Sequence, residues 1–212
     1  MSRREGMDLV VLVPDLDLSG TVRCLLNRPE SIGIRPVSFL VNRHLRRDAG
    51  CRTGAVERLR EFIRDHRYAL VMFDKDGSGD PRDSRESIRD EVELRLSRNG
   101  WEDRCKAIVI EPELEAWIWN GSRHVPEVLG WQGDHASLRD WLAALDLWSS
   151  DAPKPSDPKR ALKAVLRKTR TPLSARLYRR LADTVSVRRC TDPAFSEFRA
   201  TLQRWFPRSG RD

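Results

Sequence analysis

The stretch Tyr68-Ala-Leu-Val-Met-Phe-Asp74-Lys-Asp76-Gly77-Ser-Gly79-Asp80 constrains this chain more than any other. An apolar run ends in two acids one residue apart, and a glycine-containing loop follows at once. A run bounded this way reads as a buried strand. Open α/β sheets hold their ligands just beyond the carboxyl ends of the strands, which is where these acids fall. Side chains alternate along a strand, so that alternation aims Asp74 and Asp76 the same way. Two neighbouring carboxylates repel unless a cation neutralises them, and hard oxygen donors suit Mg²⁺ or Mn²⁺. Gly77 and Gly79 allow a sharp turn and a close approach of backbone to ligand.

Other chemistries share part of this pattern. An EF-hand loop begun at Asp74 would close on Arg85 instead of a bidentate Glu, and a strand precedes it where a helix is needed. A phosphoaspartyl phosphatase of the haloacid dehalogenase type also ends a strand in Asp-x-Asp-Gly. It carries that strand near the start of the chain and follows it with a Lys and a later acidic pair, which does not stand out here. A solvated acidic turn after a core strand is the plainest alternative.

The 212 residues suffice for one domain, or one domain with an appendage. With 33% charged and 39% hydrophobic residues and a mean hydropathy of -0.58, the profile is globular, and a chain this long can bury a substantial core. No apolar run approaches the ~20 residues needed to span a bilayer, and Met-Ser-Arg-Arg-Glu lacks the apolar stretch of a signal peptide. Cys24, Cys51, Cys105 and Cys190 form no C-x-x-C pair and read as reduced thiols of a cytoplasmic protein. The net charge of +7 is unevenly spread. From Asp151 onward there are 16 Lys and Arg against 6 Asp and Glu, while the remainder holds 23 against 26. A near-neutral body with a basic tail suits a metal site beside a phosphate-binding surface.

Met7 to Val13 is an apolar, β-branched run and reads as the first strand, followed by a loop from Pro14 to Gly20 that contains Asp15 and Asp17. Pro36 to Val41 reads as the second strand and Asn42 to Thr53 as a basic loop. His44 and Cys51 lack two further ligands at usable spacing for a metal. Helices are expected over Ala55–Asp65 and Asp83–Asn99, the latter stopped by Asn99-Gly100. Ala107 to Ile110 is a short strand, and Pro112 suits the first turn of a following helix. Glu111 then lies at the strand end, Glu115 in the first helical turn, and Glu113 in a capping place. Trp117 and Trp119 read as packing residues. Strand and helix thus alternate four times, which implies a mostly parallel sheet of about four strands flanked by helices. Acids after the first, third and fourth strands would then share one edge. Beyond residue 120 come a helix over Leu138–Leu147, a proline-rich linker over Ser149–Pro158, and amphipathic helices over Pro158–Lys168, Pro172–Asp183 and Pro193–Phe206. Their outer faces carry Lys159, Arg160, Lys163, Arg167, Lys168, Arg176, Arg179 and Arg180, the expected nucleic-acid-binding set. Two units are expected: an α/β domain over 1–120 and a basic helical extension over 121–212.

The order of Phe73-Asp74-Lys75-Asp76-Gly77, Glu113-Leu114-Glu115-Ala116-Trp117 and the basic stretch from Lys159-Arg160-Ala161-Leu162 to Trp205 resembles the Toprim-like proteins of prokaryotic defence loci, including the RloB-like group. It is also similar to a small subunit of methylation-associated antiphage defence systems. The resemblance covers nearly the whole length. It implies a Toprim-like α/β fold and Mg²⁺- or Mn²⁺-dependent cleavage of nucleic acid, with Asp74 and Asp76 as metal ligands and Glu111 or Glu115 assisting. The family's first strand usually ends Val-Glu-Gly, where this chain reads Val13-Pro14-Asp15-Leu16-Asp17. Asp15, or failing it Asp17, then takes the acid/base place with a shorter arm. That departure leaves open a different class: a non-catalytic subunit that binds nucleic acid or other subunits of a multi-gene defence complex.

Overall fold

An all-parallel sheet must be covered on both faces, because the helical crossovers that join its strands lie against them. The computed structural model describes residues 6–79, 81–184 and 190–208, so Asp80 lies outside it. The strands β1 (Met7–Val13), β2 (Phe39–Arg43), β3 (His66–Asp74) and β4 (Cys105–Ile110) form one parallel sheet in the order β2-β1-β3-β4. The chain steps outward from β1 to β2, then returns past β1 to β3. The direction of winding therefore reverses between β1 and β3, the crevice where such sheets place ligands.

Alternation divides the strand side chains between two cores. Val11, Val13, Leu70, Met72, Ile108 and Ile110 face one, and Val10, Leu12, Val71, Phe73, Ala107 and Val109 face the other. The second core is closed by α3 (Arg47–Leu59), through Cys51, Ala55 and Leu59, and by α4 (Arg85–Leu96), through Ile88, Val92 and Leu96. The first is larger. It takes in α1 (Leu16–Leu26), the short α2 (Pro29–Ile32) and α5 (His124–Val128), and α6 (His135–Ala143). It continues through α7 (Pro158–Thr169), α8 (Ala175–Thr184) and α9 (Pro193–Trp205). The basic helices after residue 120 thus bury their apolar stripes in the same core as the sheet. Among the described residues no helix is long and apolar enough to cross a membrane.

The expected α/β class and the four parallel strands stand, and several boundaries move. The region 42–53 is not a loop throughout, since α3 begins at Arg47. Gly50 and Gly54 disguise the helix, for helix interiors disfavour glycine. Here the glycines make room: a Cβ would lie 2.0 Å from His44 Nδ1 at position 50 and 2.7 Å from His44 Nε2 at position 54. Likewise α1 starts at Leu16, inside the expected loop, and Gly20 admits the Arg179 stem, whose Cγ would stand 2.8 Å from an added Cβ. Pro112 opens no helix. Its carbonyl accepts the Asp76 N–H (3.2 Å) and Glu113 is extended, so only the tight turn Leu114–Trp117 follows. The stretch 149–158 is anchored rather than free. Arg139 donates to the Ser150 and Ala152 carbonyls, and Lys154 pairs with buried Asp192 at 2.7 Å.

Phe198 of α9 packs against Trp117 and Phe195, with ring centroids 6.1 and 5.9 Å away. Phe198→Ala is expected to cost about 3–5 kcal/mol, as for other buried Phe truncations. Because α9 and the sheet share one core, urea unfolding should stay a single transition at a lower midpoint. A second transition, with the loss confined to it, would contradict the shared core.

Candidate metal centre

The acids at the carboxyl edge arrive there by strand register. Asp74 is the last residue of β3 and pairs with Ile110, the last of β4. It follows Leu70 and Met72 in alternation, so it faces the larger core, where α1, α7 and α8 lie. Leu12 pairs with Val71, which brings Asp15 level with Asp74 three residues further on. After β4 the chain turns in at Leu114–Trp117. Leu114, Ala116 and Trp117 are buried, and they pin Glu115 in a place where it is 3% exposed. Carboxylate oxygens of Asp74, Glu113 and Glu115 consequently gather within 4.8 Å of one another.

Like charges this close need compensation, and α7 and α8 provide part of it. Lys159 Nζ lies 2.6 Å from Glu113 Oε2 and 3.8 Å from Glu115 Oε1. The Tyr178 hydroxyl donates to Glu115 Oε1 at 2.5 Å. Burial works against the Lys159 ammonium, but its bond to Glu113 and the charges of Glu115 and Asp74 outweigh it and raise its pKa. Burial and Glu115 push the Tyr178 phenol far up, so it stays a donor. Glu113 is held above the ordinary carboxylate range by burial and by Glu115, although Lys159 opposes the shift. Asp74 goes well above it, through burial first and then through Asp48, Glu115, Glu113 and Asp15. Among the described residues Asp74 Oδ1 is buried and has no hydrogen-bond partner.

Asp48, in the first turn of α3, supports this edge from the opposite face. Its Oδ1 accepts the Asp74 N–H at 2.9 Å. Its Oδ2 lodges beneath the turn after β3, where a Cβ on Gly77 would stand 2.6 Å away. Burial raises the Asp48 pKa against the Asp74 N–H bond, which lowers it. Reading 42–53 as a loop concealed this carboxylate.

The anticipated residues sort as follows. Asp74 and Glu115 stand in the acidic triad, and its third member is Glu113, not Glu111. The Glu111 carboxylate reaches out to Lys75 Nζ at 2.5 Å. Strand alternation does not carry through to Asp76, because β3 ends at Asp74 and residues 75–78 form a turn closed by Ser78 N–H to Lys75 O (3.0 Å). Asp76 is exposed and lines a groove with Pro112 and Glu113. Asp15 caps α1, its Oδ1 accepting the Asp17 and Leu18 N–H groups at 3.0 Å. Asp17 is half-buried, and burial, Asp15 and Glu115 raise its pKa while Lys159 and Arg47 pull it down. Of the basic set, Lys159, Arg160, Lys163 and Arg167 form the other wall of the groove that holds Asp76 and Glu113. Lys168, Arg176 and Arg180 are exposed on α7 and α8, and Arg179 lies over α1 beside Gly20.

The triad fits a small hard dication. Opposite ligands of an octahedral Mg²⁺ are about 4.2 Å apart, twice the ~2.1 Å bond. Three carboxylates within 4.8 Å need little adjustment to share one ion, and Asp74 brings to them a buried Oδ1 that has no hydrogen-bond partner among the described residues. Compared with family models, curated proteins and solved structures, the chain matches none.

A carboxyl whose folded pKa is raised binds its proton more tightly in the folded chain. Stability is then lost as pH rises from the unfolded value through the folded one. In chelator, Asp74→Asn should therefore melt above the wild type, with a larger gap at pH 8 than at pH 4. Each kcal/mol recovered should move Tm by roughly 2–4 °C in a domain of this size. A gap that shrinks as pH rises would contradict the assigned repulsion.

Proposed function

We propose that this chain is a cytoplasmic Toprim-like nuclease of prokaryotic antiphage defence, cleaving phosphodiester bonds with Mg²⁺ or Mn²⁺. One observation carries the reading. The acidic triad beyond β3 and β4 reaches, through Glu113, a groove whose facing wall is the basic surface of α7. Neither half suffices alone: carboxylates without cationic neighbours repel a phosphate, and a basic helix without ligands only binds one. Together they suit a polyanion that must lie beside a metal.

Asp74, Glu113 and Glu115 would hold the ion, which when bound offsets negative charge on the phosphoryl oxygens. The guanidinium groups of Arg160 and Arg167 and the ammonium of Lys163 hold the flanking phosphates. Lys159, already paired with Glu113, keeps the ligand carboxylate in place rather than gripping backbone. Asp15 spends one oxygen on the α1 cap, so Asp17 is the better-placed carboxyl to hold a proton near the edge.

The capping role of Asp15 and the internal pairing of Lys159 also favour a second reading. In it the chain is a non-catalytic subunit that binds nucleic acid within a multi-subunit defence complex. A cleavage assay on labelled single- and double-stranded DNA and RNA separates the two. Mg²⁺- or Mn²⁺-dependent cleavage by the wild type is expected. Asp74→Asn/Glu115→Gln should reduce it at least about 100-fold, since loss of outer-shell partners alone costs 10–100-fold. Cleavage unaffected by the double substitution would refute the nuclease, and nucleic-acid binding without cleavage would favour the subunit.

A further inference from the structure

The groove beside α7 accounts for only one side of the acidic edge. On the other side, β2 ends at Arg43, and the turn His44-Leu45-Arg46 leads into α3 at Arg47. Arg43, His44 and Arg47 line a second groove with Asp15, Asp17 and Arg58. Arg43, Arg46 and Arg47 are exposed, and no described hydrogen bond or ion pair engages their side chains. Arg58 is tethered to Asn42 Oδ1 at 2.7 Å and Glu61 Oε1 at 3.1 Å.

The turn is built to hold its shape. The His44 ring lodges against Gly50 and Gly54, and its Nδ1 accepts the Arg46 N–H at 3.1 Å. Arg47 adopts φ 51°, a left-handed conformation that a non-glycine residue takes only where its surroundings impose it. A rigid turn that displays exposed arginines without hydrogen-bonded partners among the described residues is suited to fixed anions. Asp17 ties the two sides of the edge together electrostatically, because Lys159 of α7 and Arg47 of α3 both act on its carboxyl. Leu45, 99% exposed among these arginines, gives the turn an apolar tip that can meet a base.

We propose that the β2–α3 turn is a second phosphate-binding wall, and that a nucleic-acid strand crosses the carboxyl edge of the sheet from α7 to Arg43 and Arg47, passing over the acidic triad. This inference rests on the reading of that edge as a nucleic-acid site, and it adds the path of the strand. From β2 to β4 is three strand spacings, about 14 Å at ~4.8 Å each. At the 3.4 Å rise of a stacked strand that is about four nucleotides. Shorter oligonucleotides can reach only one wall.

Fluorescence anisotropy with labelled 12-nucleotide and dinucleotide single strands in Ca²⁺, over a range of salt, tests the path. Arg43→Gln/Arg47→Asn removes two charges, and Asn accepts the left-handed backbone at position 47. Its 12-mer affinity should fall about tenfold, and the slope of log affinity against log salt should flatten by about 0.7 per lost contact. Arg43→Lys/Arg47→Lys should restore the slope, which a folding defect would not allow. Lys163→Gln/Arg167→Gln on α7 should weaken the 12-mer similarly, and the dinucleotide should never lose affinity to both double variants. If the α7 variant weakens binding while the turn variant matches the wild type, the second wall is wrong and the reading of the edge survives. If the wild type binds neither strand, both fall.

Discussion

A sheet buried on both faces gives its strands no solvated side, so polar side chains are driven to the strand ends. The rest of the molecule follows from that restriction. β1, β3 and β4 are apolar throughout their inner residues, and Asp15, Asp74, Glu113 and Glu115 appear only as each strand or its turn runs out. The strand order adds the second element. Because winding reverses between β1 and β3, the end of β3 is not roofed by its own crossover, and acids from three connections can meet there. What closes over them instead is the helical part beyond residue 120, through Lys159 and Tyr178.

The resulting centre is held in a state of partial compensation. Among the described residues a single ammonium and a phenol serve three carboxylates, and a fourth, Asp48, approaches from the opposite face of the sheet. An ordinary structural cluster would be satisfied by further Lys or Arg. Here the nearby cations Arg160, Lys163 and Arg167 line the groove, and Arg43 and Arg47 stand across the edge. Beyond Lys159, the positive charge of the described residues stands around the acids without entering them. That arrangement suits a site completed by a dication and approached by a polyanion.

Much of this was readable before any coordinates. The apolar runs identified β1, β3 and β4 closely, since a fully buried strand announces itself by composition alone. Asp74 was legible from its position at a strand end, and Glu115 from its place in the turn that follows β4. What escaped depended on contacts between distant residues. Gly20, Gly50 and Gly54 looked like loop residues because their function is to admit Arg179 and His44, which no local pattern reveals. The start of α3 went unseen with them, and so did Asp48. The exchange of Glu111 for Glu113 turned on whether Pro112 began a helix. The hydrogen bond from Asp76 to its carbonyl decided against it, and a long-range bond of that kind leaves no trace in sequence spacing.

The most direct test of the central claim is calorimetric titration of Mn²⁺ into the wild type and into Asp74→Ala/Glu113→Ala at pH 7.5. If the edge is built for a dication, the wild type binds at an acid-dependent site and releases protons from the raised carboxyls as it does so. The double variant then shows no such binding. Equal heats from the two proteins, or none from either, would contradict the account and leave the triad a buried polar cluster balanced by Lys159 and Tyr178 alone.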